Sequence, residues 1–266
     1  MMPNLLLIAD KRTEAWAGGD FPAEPLRSLD DVLGAFDRTS ATRTPVIWIA
    51  DQATQVCPLA LHKPRSGANH RLLLLNGMSW MEREVLSLVF RFVVSPGQGM
   101  RLLPPEELKD VLAAPDRGDL VIGGFASPCD DLVVLYRGTL EPLVVPFTWF
   151  QRRPGVRLDF EALGVCDHGQ TVTFGEHEVA TDAILYTHDA AYRKRAKQRE
   201  LQHDESFGAS LRRLRLSHGL RRGDFAGISE KEIARIERGE IATPHRRTLE
   251  TIAARLGVEV EELGTY

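Results

Sequence analysis

Cysteine is scarce: three residues, at 57, 129 and 166, occur among 266, with no CxxC pair. An odd, widely spaced set argues against a disulfide framework and predicts a reducing, cytoplasmic setting. Long hydrophobic runs are missing as well. The longest stretch, Val85 to Val94, is broken by Ser87 and Arg91, which is too short and too polar for a membrane span. The opening MMPNLLLIADKRTE lacks the basic start of a secretory leader. Motifs that carry chemistry are missing too: there is no GxSxG, no HExxH, and no Walker or dinucleotide glycine pattern. Pro96-Gly97-Gln98-Gly99 and Gly123-Gly124 therefore read as turns. Cys166, His168, His177 and His188 match no common zinc spacing, and His168 reads as an exposed turn histidine. No catalytic residue, metal or cofactor is expected. What is present is ordinary for a globular protein, 43% hydrophobic and 26% charged. The length suits two or three domains.

The net charge of −4 conceals an asymmetry. Between 191 and 247 there are fifteen Lys/Arg against eight Asp/Glu, a balance of +7 that leaves −11 for the rest. A basic segment on an acidic body points to a local anionic partner, nucleic acid first, although a solvated charged helix gives the same count.

Residues 1–116 alternate short apolar runs with helical spacing, which predicts an α/β layer domain. Leu5 to Ile8, Val46 to Ile49 and Leu72 to Leu75 read as buried strands. Leu26 to Phe36 and Met81 to Val94 have helical spacing. Met100 to Leu103 would be a fourth strand and Glu106 to Ala114 a helix introduced by prolines. Asp10 and Asp51 close two of the strands, a place where α/β folds hold ligands, though loop capping is the ordinary job of such aspartates. Met100-Arg101-Leu102-Leu103-Pro104-Pro105 resembles the end of a response-regulator receiver domain, but Leu103 stands where that resemblance requires lysine.

Composition changes at Pro115-Asp116-Arg117-Gly118, and 117–190 reads as a small α+β module. Arg137-Gly138-Thr139 and His168-Gly169-Gln170 are hairpin turns between β-rich runs. Val179 to Tyr186 fits a strand or a short helix. Phe147, Trp149 and Phe150 form an aromatic cluster suited to core packing. The module resembles small bacterial domains that stand beside helix-turn-helix modules, some of them in toxin–antitoxin loci. Residues 191–207 read as a basic linker helix.

The region 208–266 is the most informative. Leu211, Leu214, Leu220, Phe225, Ile228, Ile233, Ile236, Leu249, Ile252 and Leu256 are anchors of several short helices. Gly219, Gly239 and Gly257 stand where helices stop. Ser229 followed by Glu232 has capping-box spacing and predicts a helix to about Arg238. A further helix would run from Thr248 to Leu256. The ordered set LRRLRLSHGLRRGDF, GISEKEIARIERGE and TPHRRTLETIAARLGV resembles the lambda-repressor-like (XRE-type) helix-turn-helix. That resemblance implies an all-α bundle binding double-stranded DNA as a homodimer. By position it gives Ser229, Glu230, Lys231, Glu232 and Arg235 to the major groove, with Glu232 assigned to the helix cap. It gives Arg222 a phosphate contact, and puts Arg238, His245, Arg246 and Arg247 near the backbone on the following turn and loop. Between Phe225 and Ile233 the chain is about three residues shorter than the family pattern, so the second helix is expected to be curtailed.

The composite expectation is a multi-domain α+β protein acting as a prokaryotic sequence-specific transcriptional regulator. Residues 1–190 would sense a signal, dimerise or bind a partner protein. An antitoxin that neutralises a partner and regulates its own operon is the first alternative. An enzyme working in the α/β domain is the second.

Overall fold

The computed structural model describes residues 5–264, apart from 11–12, 14–15, 17–20, 43, 63–68, 98, 152–157, 204–205 and 242. The chain packs as two compact units, Met1–Asp189 and Ala190–Tyr266.

The first unit is built on a parallel sheet of β1 (Leu5–Ile8), β2 (Ala23–Leu26), β3 (Val46–Ala50), β4 (His70–Leu74) and β5 (Phe92–Val94), in the order β2-β1-β3-β4-β5. This is the strand order of one common doubly wound sheet. The apolar runs are continuous because both faces are covered, and successive side chains alternate between them. Leu6, Ile8, Trp48, Leu72 and Leu74 enter a core with Phe36, Leu59 and Leu86. These three come from α1 (Leu29–Ser40), α2 (Cys57–His62) and α3 (Trp80–Ser87). Leu5, Leu7, Ile47, Ile49 and Leu73 face the other way, against Leu108, Val111 and Leu112 of α4 (Pro105–Ala113). Capping boxes Ser28/Asp31 and Ser79/Glu82 start α1 and α3.

The helix expected over 81–94 ends at Ser87, and Phe92–Val94 pairs with Arg71–Leu73 instead. Burial of β-branched Val93 and Val94 beside β4 outweighs the local 3.6-residue spacing. The residue after the last parallel strand is therefore Ser95. The expected fourth strand is the short β6 (Arg101–Leu102), which pairs antiparallel in a different sheet. Asp51, only 4% exposed, accepts a hydrogen bond from Asn76 at 2.6 Å, and Asp10 accepts from Gln55 at 2.7 Å and from Thr13. Both aspartates thus hold loops at the strand ends.

Beyond α4 an antiparallel sheet joins β6, β7 (Val121–Ser127), β8 (Leu132–Arg137) and β9 (Pro142–Pro146). Gly123-Gly124 is not a turn but part of β7. A Cβ on Gly123 would lie 2.2 Å from the Arg101 carbonyl oxygen, and one on Gly124 2.6 Å from that of Val134. Both expected hairpin turns form, and α5 (Phe147–Phe150) follows β9. A third sheet comprises β10 (Leu163–Cys166), β11 (Thr171–Phe174) and β12 (His177–Ala180). The ambiguous 179–186 segment resolves into the end of β12 and the start of α6 (Thr181–His188). Phe147 stacks on Phe160 at 3.7 Å, and Phe150 meets Phe174 at 4.8 Å, so the aromatic cluster is packing.

Packing does not divide this unit at 116. Ile122 and Leu140 share one core with Leu5, Leu7 and Leu108. Arg71, 3% exposed, reaches from β4 to the Thr139 carbonyl and the Glu141 carboxylate. The composition change at Pro115 marks a change of sheet within one unit.

The second unit consists of α7 (Ala190–His203), α8 (Phe207–Ser217), α9 (Glu230–Glu237) and α10 (Arg246–Leu256), with 3-10 turns at Arg222–Asp224 and Val260–Gly264. The segment expected as a linker helix is α7, and it is part of this unit. No helix among the described residues is long and apolar enough to cross a membrane.

Candidate nucleic-acid interface

The C-terminal core gathers Leu211, Leu214, Phe225, Ile233, Ile236, Ile252, Leu256 and Leu263, with Leu220, Ile228 and Leu249 at its edge. Every expected anchor packs there. Ser206 caps α8 and Ser229 caps α9, its hydroxyl accepting from the Glu232 N–H at 3.1 Å. The reciprocal bond to the Glu232 carboxylate is not formed among the described residues, so Glu232 serves the cap through its amide alone. Gly219, Gly239 and Gly257 take φ of 67°, 73° and 70° after their helices, where a Cβ is disfavoured. Gly208 is needed for another reason. A Cβ there would stand 2.4 Å from the Ile236 carbonyl oxygen, so α8 crosses the end of α9 at backbone distance.

The expected curtailment of the second helix is larger than a turn. Only the 3-10 turn Arg222–Asp224 remains, closed by the Arg221 N–H on Asp224 at 2.7 Å.

Helix α9 presents two faces. Ile233, Ala234, Ile236 and Glu237 are buried. Lys231, Arg235 and Arg238, at spacings of four and three, form an exposed basic stripe. Ser229 and Glu230 are exposed at its N-terminal end, and Glu232 is half-buried. Lys231 makes no ion pair among the described residues, whereas Arg235 and Arg238 both bind Glu240, at 3.3 and 2.6 Å. The Arg238 hydrogen bond, then its charge, hold the Glu240 carboxyl below its ordinary range.

Arg222 does not stand free at the surface. Its Nε donates to Glu237 at 2.8 Å, and Glu237 also takes the Nε of buried Arg215 at 2.5 Å. Arg222 is still 40% exposed, and with Arg212, Arg221 and Glu230 it lines a cleft of about 580 Å³. Arg246 and Arg247 are not on a loop. They open α10 behind the N-cap residue His245, because the Arg246–Glu250 pair and the Thr251 hydroxyl bond to the Arg247 carbonyl fit a helix beginning there. All three are exposed. Cations in the first turn of a helix oppose its dipole. An anion placed there would be held by the amides and by both guanidinium groups.

Sequence reasoning missed Glu237, Arg215 and Glu240. The signal for the first two was present: each occupies an apolar-face position of its own helix, after Ile233/Ile236 and Leu211/Leu214 respectively. A charge at such a position needs a buried counter-charge.

A family model described as a helix-turn-helix domain matches residues 206–264. No curated protein and no solved structure matches the chain. The C-terminal unit thus carries a helix-turn-helix domain, the kind of module by which DNA-binding regulators grip the duplex.

Proposed function

We propose that the protein is a prokaryotic, cytoplasmic, sequence-specific transcriptional regulator of the XRE type, without catalytic activity of its own. The observation that supports this best is the Lys231–Arg235–Arg238 stripe on α9, the helix whose N-terminal end enters the major groove in this kind of domain. Ser229, Glu230 and Lys231 at that end, with Arg235 one turn on, are the base-reading set. Arg222, Arg238, His245, Arg246 and Arg247 supply phosphate contacts and hence the salt-dependent part of affinity. The protein acts as a homodimer on half-sites about 34–36 Å apart or a multiple of that. Leu61, Trp80, Met81 and Leu88, all more than half exposed around α2 and α3, are apolar surface suited to self-association. The first unit serves sensing and dimerisation.

The test is selection of bound sequences from random duplex DNA by the purified full-length chain. Enrichment of a two-fold-symmetric site is expected. Failure to enrich any sequence would overturn the reading.

A further inference from the structure

Between the edge of the parallel sheet and the antiparallel sheet, the first unit has a half-open cavity of about 320 Å³. Its volume is at the lower end of small-molecule sites. It opens at the carboxyl end of β5, the side of a parallel sheet on which α/β folds hold their ligands. Val93, Val94, Met100 and Phe125 make an apolar wall, and Arg83, Ser95 and Tyr136 supply the polar groups.

Those polar groups have little else to do. Ser95 is 4% exposed and Tyr136 is half-buried, yet neither hydroxyl has a hydrogen-bond partner among the described residues. Arg83 is exposed on α3 and makes no ion pair among them. Burial pushes the Tyr136 phenol above its ordinary value, and the charge of Arg83 opposes the rise, which fits a guanidinium facing the phenol across the cavity. A permanent cation and two neutral hydroxyls converging beside an apolar wall suit one anionic group on an apolar body. A carboxylate is favoured over a phosphate because there is a single cation and the surroundings are half apolar.

We propose that this cavity binds a small organic carboxylate, its charge on Arg83, its second oxygen within reach of the Tyr136 and Ser95 hydroxyls, and its apolar part against Val93, Met100 and Phe125. The inference rests on the sensing role assigned above to the first unit. Binding is measured without DNA, so its failure and the failure of the regulator reading are separate results.

The experiment is calorimetric titration of the full chain with phenylacetate, isovalerate, phenylacetamide and inorganic phosphate. At least one carboxylate is expected to bind with Kd on the order of 0.1–1 mM, with phenylacetamide at least about tenfold weaker. Arg83→Gln, on an exposed helix position, should weaken the carboxylate about tenfold or more. Tyr136→Phe, which keeps the ring and so the packing, should weaken it several-fold. An unchanged thermal midpoint in both variants separates loss of binding from loss of fold. Equal binding of acid and amide, binding of phosphate alone, indifference to Arg83→Gln, or no heat from either carboxylate would each overturn the proposal.

Discussion

Glu237, the last residue of α9, has 1% of its side chain exposed and receives the Arg215 Nε at 2.5 Å and the Arg222 Nε at 2.8 Å. Arg215 also donates to the Leu220 carbonyl at 2.7 Å, so the cluster ties α8 and the Arg222–Asp224 turn to α9. A buried carboxylate is tolerated only with such partners, and removing one leaves the other charge stranded. Glu237→Gln is expected to cost the C-terminal unit about 3 kcal/mol or more, because Arg215 is then buried without its anion. The double change Arg215→Met with Glu237→Leu should recover most of that loss. All four tryptophans lie before residue 190, so far-ultraviolet circular dichroism under denaturant is the suitable measurement. A Glu237→Gln variant as stable as the parent would show that the pair does not brace the domain.

Much of this unit was legible from residue spacing. Ser229, Gly219, Gly239 and Gly257 mark helix ends because a cap is a local interaction, decided within a few residues. The parallel sheet was legible where a run is apolar and uninterrupted, as in Val46–Ala50. Phe92–Val94 was not, because a strand three residues long beside β4 is specified by its neighbour across the sheet, not by its own pattern. Arg246 and Arg247 were misplaced for a related reason. Thr248 looks like a helix start, but the stop that matters is the extended backbone of His245, with φ −60° and ψ 145°. Glu240 escaped notice because a surface pairing with Arg235 and Arg238 depends on how the chain turns after Gly239.

Glu240 occupies Arg235 and Arg238, two of the residues proposed above to meet DNA. In the proposed complex, phosphate replaces its carboxylate on Arg238. Glu240→Gln is therefore expected to raise affinity for all duplexes at low salt and to steepen the slope of log affinity against log salt by about one. Fluorescence anisotropy over a salt series checks this. An unchanged slope would mean that Arg238 does not meet phosphate.

His70 is buried beside Phe36 and Trp48, with ring centroids 4.4 and 5.8 Å away, and its Nε2 lies 3.2 Å from the Thr39 hydroxyl. Burial, partly countered by Thr39, lowers its pKa below the ordinary 6.5. Below about pH 6.5 the unfolded chain binds a proton that the folded chain still refuses, so the first unit should lose stability as pH falls through this range. The loss should level off once the folded imidazole also protonates. His70→Phe should flatten this part of the profile. Tryptophan fluorescence in urea at successive pH values measures it, and an identical profile in the variant would count against His70 as the source.

The last expectation separates positioning from reading. Arg246 and Arg247 open α10 against its dipole, so alanine at both should leave the domain folded and should not lower its stability. It should weaken every duplex alike and reduce the salt slope by about 2. Lys231 and Arg235 project from the exposed face of α9, and alanine there should cost about 1–3 kcal/mol on the selected site and less on random DNA. The two pairs thus differ in what they change: total affinity in one case, the specific-to-random ratio in the other. With the second helix reduced to the Arg222–Asp224 turn, α9 is braced by Gly208 and the Arg215–Glu237 pair. If Lys231→Ala and Arg235→Ala leave the ratio intact while the fold is unchanged, the shortened turn has rotated α9 away from the bases. The exposed residues lining the Arg212–Arg221–Arg222 cleft would then be the next to vary.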